Sequence, residues 1–184
     1  MDATQTRRAI LVGFSRGVRR GLLLAADHPD RVQAAAFIGP NYPGGGQPLP
    51  ERTVHSWETE LDTDEGWAKD NRHYWLRDYQ GFHNFFMSRM FSEPHSTKQM
   101  EDCVAWGLDT TGETLALTNL APHLQSNEAR ELARRVRCPV LVIHGEQDAV
   151  VSVTRGVALA EHKGVGWSPS RRPGMPLISA TRSR

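Results

Sequence analysis

The sequence predicts an α/β protein: a short parallel sheet with flanking helices, interrupted by a long helical insertion. The apolar runs "RAILVGFS" (8–15) and "RVQAAAFIGP" (31–40) enclose one amphipathic helical stretch. A third run, "CPVLVIHGEQDAVV" (138–151), stands far downstream. Strand–helix–strand order implies parallel strands with a right-handed crossover. Runs so continuously apolar suit strands buried on both faces of such a sheet.

Each element has its own local reason. In "RGVRRGLLLAADHP" (16–29), Val18, Leu22, Leu23 and Ala26 fall on one helical face and Pro29 lies beyond its end. "NYPGGGQPLP" (41–50) is a loop by its Gly and Pro density. The next stretch turns helical, with Trp67, Tyr74, Trp75, Phe82, Phe85, Phe86 and Met90 at helical spacings and a break near Gly81. Ser96-Thr97-Lys98-Gln99 has the form of a capping box opening a helix through Trp106, and a further helix spans 127–136. Trp57, Trp67, Trp75 and Trp106 all lie in this block, where aromatic packing is the expectation. "TRGVALAEHKG" (154–164) is one more helix. The final stretch, 165–184, carries neither period and is expected to be disordered. The domain reading is therefore core at 1–41, helical insertion at 42–137, core again at 138–164, then the tail.

Bulk properties exclude several function classes. A chain of 184 residues, 39% hydrophobic and 23% charged, suits one soluble globular core. A net charge of +1 gives no reason to expect nucleic acid or an anionic membrane surface as partner. No apolar run reaches the ~20 residues of a membrane span, and the N-terminus lacks the apolar core of a signal peptide. Cys103 and Cys138 have neither metal nor redox spacing, so the expectation is a cytoplasmic protein without metal or cofactor.

The chemistry-bearing motif is Gly13-Phe14-Ser15-Arg16-Gly17, a G-x-S-x-G between a strand and a helix. A nucleophilic serine needs a sharp turn at the carboxyl end of a strand, so that its hydroxyl stands clear and the next N–H can face an oxyanion. Small residues on either side permit that turn and close helix–strand packing. Asp148 follows the third apolar run, where an acid that orients a histidine should stand.

These residues together resemble the α/β-hydrolase fold superfamily over about residues 7–163. "AILVGFSRG" looks like its strand 5 and nucleophile elbow, "LLLAADHPDRVQAAAFIGP" like the following helix and strand 6, and "VRCPVLVIHGEQDAVV" like strand 7 with the acid. The helical block would be the lid inserted after strand 6. The resemblance implies Ser15 as nucleophile, Asp148 as triad acid and the Arg16 N–H as one oxyanion donor. It implies a small-molecule substrate, cleaved at an ester or amide-type bond through an acyl-enzyme. His144 matches a framework position in the "HG" turn rather than the base.

The chain departs from the family in two places. Fourteen residues precede Ser15, where the family carries strands 1–4 and the loop with the second oxyanion N–H. Strand 5 would then leave an apolar edge unpaired, inviting self-association or pairing with another chain. The family's base follows a final strand, yet no histidine lies beyond Gly164. His28, His55, His73, His83, His95, His123 and His162 are each expected to be surface or packing residues. Back-translating 165–184 and reading one base back offers an explanation, with Trp167 and Met175 forcing Val and Ala. One permitted reading then contains a strand, a Gly-His turn and an amphipathic continuation. The tail is expected to be out of frame. The sequence expectation is thus a hydrolase-derived chain, truncated and frameshifted, inactive by itself; the alternative is a non-catalytic interaction module.

Overall fold

The computed structural model describes residues 1–93 and 95–166, and the backbone course of 177–180. In chain order the elements are β1 (Ala9–Phe14), α1 (Gly17–Asp27), β2 (Val32–Ile38), α2 (Arg72–Arg77), α3 (Tyr79–Met90), α4 (Thr97–Gly107), α5 (Gly112–Leu120), α6 (Ser126–Arg135), β3 (Val140–His144), α7 (Val153–Lys163) and β4 (Leu177–Ala180). They form two compact units, residues 1–47 with 124–184, and residues 48–123.

The first unit is built on a sheet of order β1-β2-β3-β4. β1 runs parallel to β2, with Leu11 opposite Ala35 and Gly13 opposite Phe37. β2 runs parallel to β3, with Ala35 opposite Val140 and Phe37 opposite Val142. These residues alternate with their neighbours and so share one face. There they meet Val18, Leu22 and Ala25 of α1, Ala129, Leu132 and Ala133 of α6, and Leu159 of α7 in one buried cluster. β4 pairs antiparallel with β3, covering backbone groups that an edge strand would expose. The tail, expected to lack regular structure, therefore contains a strand. Residues 167–176 and 181–184, where the rest of that expectation falls, lie outside the described residues.

The boundaries of the helical insertion differ from those read in the sequence. Helix α6 belongs to the sheet unit, because Ala129, Leu132 and Ala133 form an apolar stripe that is buried only against the α1 and α7 layer. The segment 41–47 also belongs there. Tyr42 is fully buried, with its hydroxyl 3.0 Å from His162 Nδ1, and Arg130 Nε donates to Gly44 O at 2.5 Å. Gly46 takes φ +77, and a Cβ there would stand 2.5 Å from the backbone carbonyl carbon of Thr154. Only glycine fits that left-handed, flush position. The inserted unit is thus 48–123 rather than 42–137.

Burial of the sheet on both faces does not hold at β1. Ile10, Val12 and Phe14, which alternate with Leu11 and Gly13, are 62, 70 and 54% exposed. The helical layer lies on the opposite face, and β1 is the first strand of the sheet order.

The second unit is helical, as its spacings predict. Tyr74, Trp75, Phe82 and Ala116 form its core, with Trp57, Tyr79, Phe86 and Leu115 against them. The Trp57 and Trp75 rings meet edge to face at 4.5 Å. Buried Asn71 caps α2, accepting from His73 N–H at 2.9 Å, while its amide donates to Ser56 O and Thr59 O. The helix break falls at Asp78 rather than Gly81, since Asp78 Oδ1 accepts the Gly81 N–H at 2.8 Å and starts α3. No capping box forms at Ser96, whose hydroxyl lies 3.5 Å from the Glu93 carboxylate and makes no cap bond. Helix α5, which the sequence reading did not identify, is capped by the Thr111 side chain.

Phe37 is fully buried between β1 and α1. Replacing it, Phe37→Ala, should cost the sheet unit about 3–5 kcal/mol. Urea denaturation followed by far-UV circular dichroism measures this. Tryptophan fluorescence is the poorer probe, because four of the five tryptophans, Trp57, Trp67, Trp75 and Trp106, belong to the helical unit.

Candidate active site

Ser15 directly follows β1 with φ +49, a left-handed conformation rare for a residue with a side chain. Of order 1–3 kcal/mol of strain is held there by the surrounding bonds. The Ser15 N–H donates to Ile38 O at 2.9 Å, and Ser15 O accepts from Val18 N–H and Asn41 N–H, both at 3.2 Å. The chain can turn so sharply because β1 and α1 approach closely at Gly13. A Cβ on Gly13 would stand 3.1 Å from Val18 Cα and 3.2 Å from the Phe37 ring. The second motif glycine plays no such part, since a Cβ on Gly17 would meet nothing within 4 Å. The close-packing requirement expected on both sides of the serine holds on one. Arg16 follows as the N-cap of α1, in helical conformation with φ −62 and ψ −26.

Asp148 lies beyond the carboxyl end of β3, on the same edge of the sheet. Gly39, between them, ties the strand ends together. Its N–H donates to Ile143 O at 2.8 Å, and a Cβ on it would stand 3.5 Å from Asp148 Oδ2 and 3.7 Å from the Phe14 ring. Asp148 Oδ1 accepts the N–H groups of Val150 and Val151, each at 2.8 Å. Burial pushes its carboxyl up. The hydrogen bond from His144, those from the Val151 and Val150 N–H groups and the field of His144 outweigh this, holding it below the usual carboxylate range.

The histidines are otherwise engaged. His144 Nε2 lies 2.9 Å from Val151 O and 3.3 Å from Asp148 Oδ2, both acceptors, which assigns the hydrogen to that nitrogen. Its Nδ1 is turned to α7, where a Cβ on Gly156 would stand 2.5 Å away. His144 therefore holds the acid in place and presents no basic nitrogen toward Ser15. His162 is bonded to Tyr42, and burial first, then Arg130 and Arg134, push its imidazole down. The same burial pushes the Tyr42 hydroxyl up to about 12. His83 is buried in the helical unit, with burial lowering its basicity. Among the described residues no histidine is hydrogen-bonded to Ser15, and no group of three or more His, Cys, Asp or Glu could hold a metal ion.

Sequence reasoning placed Ser15, Arg16 and Asp148 at this edge and missed Asn41, Arg19 and Arg155. Arg19 donates to Asn41 O at 3.1 Å and to Asn41 Oδ1 at 3.4 Å, and Arg155 donates to the same Oδ1 at 2.8 Å. Nothing in the spacing of residues so far apart in the chain signals their meeting.

The family profile described as alpha/beta hydrolase fold matches residues 1–172. No curated protein sequence matches the chain. Among solved structures, a putative aryl esterase from Burkholderia cenocepacia is similar at 15% identity and TM-score 0.64, over 89% of this chain and 55% of that one. An esterase from a Rhodococcus species has 22% identity and TM-score 0.61, over 87% and 55%. A bromoperoxidase from Bacillus anthracis has 18% identity and TM-score 0.63, over 88% and 58%. The chain thus spans little more than half the length of these proteins. Among the described residues no helix is long and apolar enough to cross a membrane.

Asp148→Asn turns an amide donor toward His144 Nε2–H and should cost about 1–3 kcal/mol at neutral pH. The folded carboxyl titrates below its ordinary 3.8, so its contribution is complete above that pH and disappears as pH falls through the folded value. In urea titrations the gap between wild type and variant should narrow as pH is lowered through 3.8.

Proposed function

The chain belongs to the alpha/beta hydrolase fold family, and on that premise we propose that it carries the nucleophile and acid of a serine hydrolase acting on ester or amide-type bonds. Ser15 is the nucleophile, Asp148 the triad acid, and the Arg16 N–H one oxyanion donor. The observation that carries this reading is Ser15 at φ +49 on the sheet edge that also bears Asp148. In an acyl transfer the Ser15 hydroxyl attacks the carbonyl, the Arg16 N–H stabilises the oxyanion, and the alcohol or amine leaves. Water then releases the acid. With ordinary substrates both half-reactions need a base to take and return the proton. An activated ester with a good leaving group can acylate the serine slowly with solvent taking the proton, and only deacylation then stalls.

The same reading takes the residues after Gly164 as out of frame and leaves Ser15 without a base, so that Ser15, Arg16 and Asp148 do not turn over substrate by themselves. His144 is locked on Asp148 and Val151, and His162 on Tyr42, so neither supplies the base.

A second reading, of an interaction module, is favoured by the exposure of Ile10, Val12 and Phe14 on β1. Removing each such side chain from water is worth about 1.5–3 kcal/mol, enough to drive association through this edge.

With 4-nitrophenyl butyrate the chain should release up to one equivalent of nitrophenolate and stop, and Ser15→Ala should abolish the release. Sustained turnover would overturn the reading of an incomplete site. Size-exclusion chromatography with light scattering should show concentration-dependent association, suppressed by Val12→Lys, which places a charge on a side chain 70% exposed. A monomer at all concentrations would remove the second reading.

A further inference from the structure

Residues 41–47 form a strap that leaves the end of β2 and lies against α7. At one end Asn41 N–H donates to Ser15 O at 3.2 Å, and Arg155 of α7 donates to Asn41 Oδ1 at 2.8 Å. At the other end Gln47 N–H donates to Thr154 Oγ1 at 3.0 Å, and Gln47 O accepts from the same hydroxyl at 3.2 Å. Between these ends Tyr42 is fully buried, and its hydroxyl meets His162 Nδ1 of α7 at 3.0 Å. The strap is flush with the helix there, since a Cβ on Gly45 would stand 2.9 Å from Ala158 Cβ and 3.3 Å from His162 Cε1. Gly44, Gly45 and Gly46 in succession give the backbone freedom to hinge once the Tyr42 contact is lost.

The direction of the central hydrogen bond follows from what each partner can do. Burial pushes the Tyr42 hydroxyl up to about 12, so the phenol keeps its hydrogen at neutral pH. Among the described residues that hydroxyl has no other partner, and a buried donor needs an acceptor. Nδ1 of neutral His162 supplies it. A protonated imidazole carries hydrogen on both nitrogens and has no lone pair to offer. The phenol could then only accept, with its own hydrogen left unpaired in the core. The surroundings act in the same sense: burial first, then Arg130 and Arg134 of α6, disfavour a charge on His162, and only Glu161 of its own helix favours one.

We propose that Tyr42 and His162 form a pH-operated latch, in which protonation of His162 lets the strap open from α7 and loosens the Asn41 bond that holds the Ser15 turn. The imidazole titrates below its ordinary 6.5. The latch is therefore complete above that pH and is lost as pH falls through the folded value. Opening is local, because the sheet and the α1, α6 and α7 cluster carry no part of the bond. None of this depends on Ser15 acting as a nucleophile.

The test is amide hydrogen exchange by NMR on the isotope-labelled full chain, from about pH 8 downward until the His162 Cε1–H resonance has completed its titration. Protection is corrected for intrinsic exchange and read at Asn41. Gly39 is the internal reference, because its N–H donates to Ile143 O in the adjoining sheet. Protection of Asn41 relative to Gly39 should fall about twofold to tenfold, the range of one ordinary hydrogen bond, with the midpoint of the His162 resonance. In His162→Gln, where nothing titrates at that position, the ratio should stay flat. In Tyr42→Phe the His162 midpoint should move up toward 6.5, since the phenol no longer holds the imidazole neutral. A ratio that does not change in the wild-type chain as His162 titrates overturns the latch, whatever the variants do. So does a pH-dependent ratio that persists in His162→Gln, or a His162 midpoint left unmoved by Tyr42→Phe.

Discussion

The Phe37 ring on β2 fills a space that two glycines leave for it, and the site depends on that fit. A Cβ on Gly21 of α1 would stand 2.8 Å from the Phe37 ring, and one on Gly13 of β1 would stand 3.2 Å from it. Helix and strand can therefore approach as closely as their backbones allow. This brings Val18 against Gly13, draws the start of α1 onto the end of β1, and leaves Ser15 to make the turn with φ +49. The strain of that turn is offset by bonds from Ser15 to Ile38, Val18 and Asn41, all on elements that Phe37 holds in register. The geometry of the Ser15 turn is thus a consequence of packing one layer below it.

Along the same sheet edge, polar groups are placed both by backbone and by one another. Asp148 is fixed by two N–H groups and by His144, itself held on Val151 O. Asn41 is fixed by its bond to Ser15 and holds Arg19 and Arg155. Asp148 and the two arginines each have their orientation set by these bonds. His144 is spent on the Asp148 support, and among the described residues no histidine is hydrogen-bonded to Ser15.

Legibility in the sequence followed the range of the interaction. The strands, α1 and the Ser15 turn were readable because each is specified by residues close in the chain: an apolar run, a glycine, a helical stripe. Asp148 was readable for the same reason, as a turn carboxylate after an apolar strand. The role given to Gly17 was not, because space beside a residue is a property of its neighbours, and none approaches. Helix α6 was read as part of the insertion, since its amphipathic stripe announces a helix but not which layer buries it. Ser96 has the residue pattern of a box, yet its hydroxyl is drawn to Glu93.

The sequence by itself determined the α/β class, the order of strands and helices, the aromatic character of the inserted unit and the residues at the turn, because those depend on periodicity and local backbone preference. Only the tertiary structure decided that all three helices of the sheet unit share one cluster, leaving Ile10, Val12 and Phe14 in water. It also decided that His144 serves Asp148 and that Arg19 and Arg155 meet on Asn41. Those outcomes are contacts between residues distant in the chain, and no local pattern encodes which distant partner a side chain will find.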